Sequence, residues 1–489
     1  MKKYLLGIDV GTTGTKTLLF TEKGGFITKA YRDYPLSTPK VGYSEQNAED
    51  WWKAVVETTR EVCSSKEIAD NIVAISMSTQ GGTIVPVDSN WNAIRPAIVW
   101  NDSRGEKQKE SFLKEIGEGR LMYNLTGWEL EGGLPLIIVR WLKENEPETF
   151  NKAYMYLSVP DYIAMKMTGT PAIDLSNAGI NQFCDIKKGI YDEKLLKFAG
   201  IDETKLAKLV PSGEKIGKLT EKAAKELGIN EDAVLVSGAH DQYAVALGAG
   251  ATKAGDILIG SGTCWVVTAI GDEPDFESGL SQSVSAVKGK WGSLQSLSSG
   301  GVCLDWLRKS VASKDLLPYS VIDSEVLNIE AATEGLMFYP FSGKAGNGKK
   351  LSRASFVGLD LSHDKIHMAR AIMEGVVFQI LWMMEDFKAK PSKEGIILSG
   401  GASKSPAWSQ MLADISGLPV RIPEVADLAC VGAAIMAGVG AGLYKDVQTG
   451  YTSFAIKETI LMPDIEKTKK YKEIVEIYKK QAGLFICNF

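Results

Sequence analysis

Apolar residues recur along this chain with two different periods. Short apolar or alternating runs at 4–10, 15–20, 71–78, 83–87, 233–237, 256–260, 264–269, 335–340 and 395–399 predict strands. Longer segments at 49–63, 106–116, 136–145, 219–227, 301–311, 364–388, 405–416, 428–441 and 466–481 predict helices. In 364–388, Ile366, Met368, Ile372, Met373, Val376, Val377, Ile380 and Met384 trace an apolar face. The last segment alternates Lys and Glu around Tyr471, Ile474, Val475 and Ile477, the pattern of an amphipathic packing helix. Strands and helices mixed in this order predict an α/β architecture. The 489 residues exceed what one core holds, so two or three domains are expected. Blocks of similar plan predict related halves at 1–245 and 246–489, with a ligand cleft between them.

Each half opens on a glycine-threonine turn. The first is Asp9-Val10-Gly11-Thr12-Thr13-Gly14-Thr15-Lys16, directly after the run Tyr4 to Ile8. The second is Gly260-Ser261-Gly262-Thr263, after Ile257-Leu258-Ile259. Apolar and β-branched residues resume on the far side of each, so both read as hairpins. Glycine lets a backbone come close to an anion, and threonine adds a hydroxyl beside the exposed N–H groups. Taken singly, each is an ordinary turn; as a facing pair they would grip a polyphosphate from both sides. Asp9 adds a carboxylate where a nucleotide's Mg²⁺ would sit.

Composition narrows the function classes. Hydrophobic residues make up 45% and charged residues 24%, and the net charge is −5. That balance gives no general attraction to nucleic acid or to an anionic membrane, so a phosphate site must be local. The six cysteines (63, 184, 264, 303, 430 and 487) form no CxxC pair and read as reduced thiols. His363 and His367 lie four apart but lack an HExxH context. Lys2 and Lys3, with few apolar residues before Asp9, do not resemble a secretory leader, and the expected location is cytoplasmic.

Three further segments bear on chemistry. Asp241, in Ser237-Gly238-Ala239-His240-Asp241-Gln242, follows an apolar strand and opens an Ala-rich segment, a position that faces the crevice of α/β proteins. It reads equally as a proton acceptor for a substrate hydroxyl or as a helix N-cap. Leu398-Ser399-Gly400-Gly401-Ala402-Ser403-Lys404-Ser405 places a Gly-Gly turn before a helix, where free N–H groups collect. The stretch from Gly343 to Lys350 nearly matches a phosphate loop, but Lys350 stands where the Mg²⁺-binding hydroxyl belongs; it reads as a mobile surface loop.

Together these residues resemble the FGGY family of carbohydrate kinases over nearly the whole chain. The segment Gly133 to Asn145 resembles the family's first motif, departing at Ile138 where Lys is usual. Ala354 to Leu359, continuing through His367-Met368 to Glu374, fits the second. The resemblance implies two actin/Hsp70-like (ribonuclease H-like) ATPase domains with a cleft between them. It implies ATP and Mg²⁺ as cofactors, with Asp9 holding the metal through water. Nucleotide contacts carried over are Gly11, Thr12, Thr13, Lys16, Gly262, Thr263, Gly301, Asp305, Gly400, Gly401, Ala402 and Ser405. Asp241 matches the catalytic base and Gln242 a neighbouring substrate contact. Ser78-Thr79-Gln80-Gly81-Gly82-Thr83 resembles the sugar-binding turn of xylulose kinases, with Trp100 and Asn101 nearby. Those enzymes usually carry Met-His where this chain has Gly81-Gly82, a change that widens the pocket and removes a hydrogen-bonding group. Asp161 and Asp174 also fall in family segments and read as structural.

The expected activity is ATP-dependent phosphorylation of a primary hydroxyl on a small sugar, a ketopentose such as xylulose first. Another polyol, an aldonate or a sugar-like signal molecule is the alternative in the same family. A chaperone-like or filament-forming ATPase, and a catalytically silent sugar sensor, are the alternatives of another class. The expected partners are sugar and ATP, with no nucleic acid or membrane, and with a homodimer as the assembly considered.

Overall fold

The computed structural model describes residues 2–117, 119–311, 316–345, 350–351, 353–425 and 427–485. The chain divides into two compact units that a single cut at 245/246 does not produce. Unit 1 holds 1–252, 272–292 and 426–456; unit 2 holds 253–271, 293–425 and 457–489.

In unit 1 the central sheet runs Lys215–Lys218, Val234–Val236, Ile72–Thr79, Tyr4–Val10, Gly14–Thr21, Phe26–Asp33, with Ala239–His240 also paired to Ile72–Thr79. Tyr4–Val10 is antiparallel to Gly14–Thr21 and parallel to Ile72–Thr79. Alternation along Tyr4–Val10 decides what covers each face. Leu6, Ile8 and Val10 share a core with Trp51 and Val55 of the helix Ala48–Val62. Gly7 points the other way, and a Cβ there would lie 1.9 Å from the Cys430 carbonyl oxygen. The absent side chain lets the helix Leu428–Gly440 lie directly on the sheet. The same helix crosses Asp241–Gly248 at two more glycines. A Cβ on Gly248 would meet the Leu428 oxygen at 1.9 Å, and one on Gly432 the Ala244 oxygen at 2.0 Å. Ile138, the departure from the first family motif, lies on the helix Pro135–Asn145 and is fully buried.

Unit 2 repeats the scheme. Ile257–Ser261 is antiparallel to Trp265–Gly271 and parallel to Ile396–Gly400, which continues to Val420–Pro423 and Glu458–Leu461. The apolar helix expected at 364–388 spans Lys365–Met384 and is buried along most of its length. His367 closes the capping box at its start with Asp364. Tyr478 of the terminal helix Ile465–Phe485 stacks on Tyr339 with ring centroids 4.4 Å apart. Cys63, Cys184, Cys303 and Cys430 are buried thiols and Cys264 is exposed; Cys487 lies outside the described residues. So do 346–349 of the near-match to a phosphate loop, whose ends Gly343–Lys344 and Lys350–Leu351 pair as strands.

The close approach at Gly7 yields a stability test. Gly7→Ala forces a methyl into the Cys430 carbonyl and should cost about 3 kcal/mol by overpacking, read as a lowered thermal midpoint. Gly119→Ala, on a helix with only Leu113 Cδ2 at 3.6 Å, should leave the midpoint unchanged or raised.

Candidate active site

The turn of unit 1 is held from several sides. Gly11 N donates to Gly14 O at 3.0 Å, and the Tyr34 hydroxyl donates to Gly11 O at 2.6 Å. Thr12 Oγ1 donates to Gln80 Oε1 and accepts from Trp100 Nε1, both at 3.1 Å. Gln80 Nε2 donates to Gly11 O and Gln46 Oε1, and its Oε1 also accepts from Thr83. Both amide hydrogens and both oxygen lone pairs of Gln80 are therefore spent within the fold. Gln80, expected as a sugar contact, braces the turn at Gly11 and Thr12. Thr13 remains exposed at the tip.

Beside the turn lies a cluster of charge that sequence separation hides. Lys16 Nζ donates to Asp427 Oδ2 at 2.7 Å, although the two are 411 positions apart. Asp427 caps the helix Leu428–Gly440, whose close seat on the sheet brings it there. Asp9 accepts from Ser78 Oγ at 2.8 Å. Burial and then the Asp427 charge push the Asp9 carboxyl up to about 7; the Ser78 hydrogen bond opposes them, Asp241 adds to the rise, and Lys16 opposes it. Oxygen donors of this kind suit a hard cation. Among the described residues no group of three or more His, Cys, Asp or Glu side chains converges.

Asp241 begins the helix Asp241–Gly248, and the cap is His240, whose side chain accepts from Gln242 N. The capping role considered for Asp241 thus falls to its neighbour. Burial alone would raise the Asp241 carboxyl, but the neighbouring His240 and the Gln242 backbone and side chain outweigh it and hold it below the usual range. Asp241 Oδ1 lacks a well-aligned hydrogen-bond donor, while the side chain as a whole is 37% exposed. Gly81 and Gly82 are buried, and Trp100 and Asn101 are exposed. The space expected to open at Gly81 is occupied by the His240 ring, so the pocket is not widened there. Asp102 pairs with Arg104 in a buried ion pair, Asp161 closes a capping box with Ser158, and Asp174 caps Leu175–Asn181; all three are structural.

Unit 2 contains a cavity of about 390 Å³. Gly262, Thr263, Gly301, Asp305, Gly401, Ala402 and Ser405 line it, with Trp265, Tyr319, Asp323 and Trp408. Gly400 does not line it but makes its turn, at a φ of +89° that favours glycine. Gly301 N donates to Gly262 O and Val302 N to Thr263 O, both at 3.2 Å, which stitches the turn to the helix Gly301–Trp306. Ser405 caps Pro406–Ser416 and donates to Asp323. Asp305 accepts from Tyr319 and, at 3.0 Å, from Arg308. Trp265 Nε1 is buried without a partner. An apolar cavity with aromatic walls, polar groups at its rim and an unspent donor fits a nucleoside.

Residues 4–248 match the N-terminal domain of the FGGY family of carbohydrate kinases, and 256–441 match its C-terminal domain. The chain belongs to the FGGY family of carbohydrate kinases. Among curated relatives, a gluconokinase of Bacillus subtilis (strain 168) is 31% identical over 98% of this chain and 95% of its own. A xylulose kinase of the same organism is 29% identical, over 98% and 96%. The crystal structure of xylulose kinase from Rhodospirillum rubrum superposes with a TM-score of 0.90 at 24% identity, covering 99% of both chains. The FGGY fold, of the actin/Hsp70-like ATPase type, is therefore the fold of this protein, and carbohydrate phosphorylation is its class of activity. The reading as a chaperone-like or filament-forming ATPase is set aside by that membership.

His240, Asp427, Trp265 and Tyr319 were not anticipated at the site. An Asp directly before the uncharged stretch 428–444 was the available signal for Asp427.

The raised Asp9 carboxyl sets a pH test. Its folded value exceeds its unfolded one, so the ionised form opposes folding. That penalty is absent below about pH 4, grows towards pH 7 and is complete above it. In Mg²⁺-free buffer, Asp9→Asn should gain stability over the unsubstituted protein by an amount that increases by about 3 kcal/mol between pH 5 and pH 8. Urea unfolding at a series of pH values measures it; a pH-independent difference would contradict the assignment.

Proposed function

We propose that this FGGY kinase transfers the γ-phosphate of ATP directly and in line to a primary hydroxyl of a small sugar. The first candidate is a ketopentose such as xylulose. An aldonate such as gluconate is the second, favoured by the 31% identical relative named gluconokinase.

The observation that carries the reading is Asp241, a carboxylate at the start of a helix whose side chain is 37% exposed and whose pKa is held below the usual range. It accepts the proton of the acceptor alcohol as the phosphoryl group arrives. The alcohol is held beside Gly81 and Gly82, with Gln242 at its edge and Trp100 and Asn101 at the mouth. The adenosine part of ATP lies in the unit 2 cavity among Gly401, Ala402, Ser405, Gly301 and Asp305. In unit 1 the backbone N–H groups of Thr12 and Thr13, with the exposed Thr13 hydroxyl, bind phosphate and stabilise charge on the transferring group, and Thr263 offers the same kind of groups at the wall of the unit 2 cavity. Asp9, hydrogen-bonded by Ser78 and within electrostatic reach of Asp427 and Lys16, would hold Mg²⁺, which would supply neutralising charge at the phosphates. With so little covalent work for the protein, positioning and charge stabilisation carry the catalysis.

Asp241→Asn should lower kcat by about 10³-fold while the Kd for ATP changes by less than about twofold. Coupled ADP-release assays and calorimetric nucleotide titration measure the two, and full kcat in the variant would overturn the base assignment. A panel of D-xylulose, other ketoses, polyols and D-gluconate assayed with Mg-ATP decides the acceptor. Failure to phosphorylate every member would overturn the reading.

A further inference from the structure

Gly81 has no side chain, yet the space beside it is filled. A Cβ built there would lie 2.4 Å from His240 Cδ2 and 2.8 Å from Nε2, so the imidazole rests against the Gly81 backbone. The ring is held from several directions. Trp128 and Tyr243 pack against it, each with centroids 5.9 Å away. The His240 backbone N donates to Ser176 Oγ at 2.8 Å, and Ser176 in turn donates to Asp174.

The two ring nitrogens differ in what they do. Nδ1 is committed: it accepts from Gln242 N at 3.3 Å and lies 3.0 Å from Asp241 Oδ1. Nε2 has no hydrogen-bond partner among the described residues and is not sealed from solvent. Trp128 Nε1, on the ring packed against it, is buried and also unpartnered. An ordered imidazole with one unspent nitrogen thus stands directly beside the proposed base.

We propose that His240 is a specificity residue whose Nε2 hydrogen-bonds the hydroxyl on the carbon next to the reacting alcohol. The acceptor must then end in a vicinal diol. The inference rests on Asp241 as the base of the proposed function. With the reacting hydroxyl on Asp241, whose Oδ1 lies 3.0 Å from Nδ1, Nε2 of the same ring is the polar atom left to meet a neighbouring hydroxyl. A site arranged to hydrogen-bond a hydroxyl rejects the analogue that lacks it, because the polar group is left unmatched.

His240→Asn separates this role from a structural one. The asparagine amide reproduces the Nδ1 end of the ring, caps the helix well and removes the Nε2 end. Gly81→Ala is the second variant. Gly81 has no positive φ, so alanine fits its backbone, but the added methyl displaces the ring. The probes are D-xylulose with 4-deoxy-D-xylulose, and D-gluconate with 5-deoxy-D-gluconate, assayed with Mg-ATP. The unsubstituted protein should favour the intact member of the phosphorylated pair by about tenfold or more in kcat/KM. His240→Asn should bring that ratio close to one, whatever it does to kcat on both acceptors through the neighbouring Asp241, by losing kcat/KM on the intact acceptor more than on the deoxy one. Gly81→Ala should do the same, and the double variant should be no worse than His240→Asn alone. An unchanged ratio in both single variants, or an equal loss on intact and deoxy acceptors, would overturn the role of His240 while leaving the proposed function standing. Absence of phosphorylation of all four probes by the unsubstituted protein would overturn the acceptor reading and this inference with it.

Discussion

The site in unit 1 depends on a helix backbone pressed against a sheet and a second helix with nothing but glycine between them. Leu428–Gly440 reaches Tyr4–Val10 through Gly7 and reaches Asp241–Gly248 through Gly248 and Gly432. These contacts fix where the helix begins, and so place its cap, Asp427, beside Lys16 and within electrostatic reach of Asp9. The helix that begins with Asp241 is clamped by the same crossing. A side chain at any of the three glycines would separate groups that the chemistry needs together.

The resulting charge arrangement explains why one carboxylate is raised and another lowered within a small volume. Asp9 is buried near like charges, whereas Asp241 has the His240 ring and the Gln242 backbone to stabilise its ionised form. Environment, more than residue type, thus shifts the two carboxylates in opposite directions. The cavity of unit 2 works differently. Its walls are aromatic and small residues, and its polar groups are already paired at the rim, as Asp305 is with Tyr319 and Arg308. Shape and backbone donors dominate there.

Much of this was legible before any coordinates. A Gly-Thr turn between two apolar runs has few other readings than a hairpin, and both turns fold as hairpins in register across the tips. The long apolar periodicity at 364–388 became a buried helix because nearly every face of it is apolar. What sequence could not give was contact between distant segments. Nothing near Lys16 announces Asp427, and nothing near Gly81 announces an imidazole from position 240. Gln80 was expected as a sugar ligand because its turn resembles the sugar-binding turn of xylulose kinases; its four hydrogen-bond partners within the fold carry no mark in the sequence. The interleaving of the units, with 426–456 returning to unit 1, has no compositional mark either.

In the proposed reaction, phosphate passes straight from ATP to the sugar alcohol while Asp241 takes the proton. The most direct measurement is the stereochemistry of transfer, using ATP made chiral at the γ-phosphorus with oxygen isotopes and analysing the sugar phosphate formed. A single in-line displacement predicts inversion at phosphorus. Retention would require a phosphorylated protein intermediate and would contradict the account.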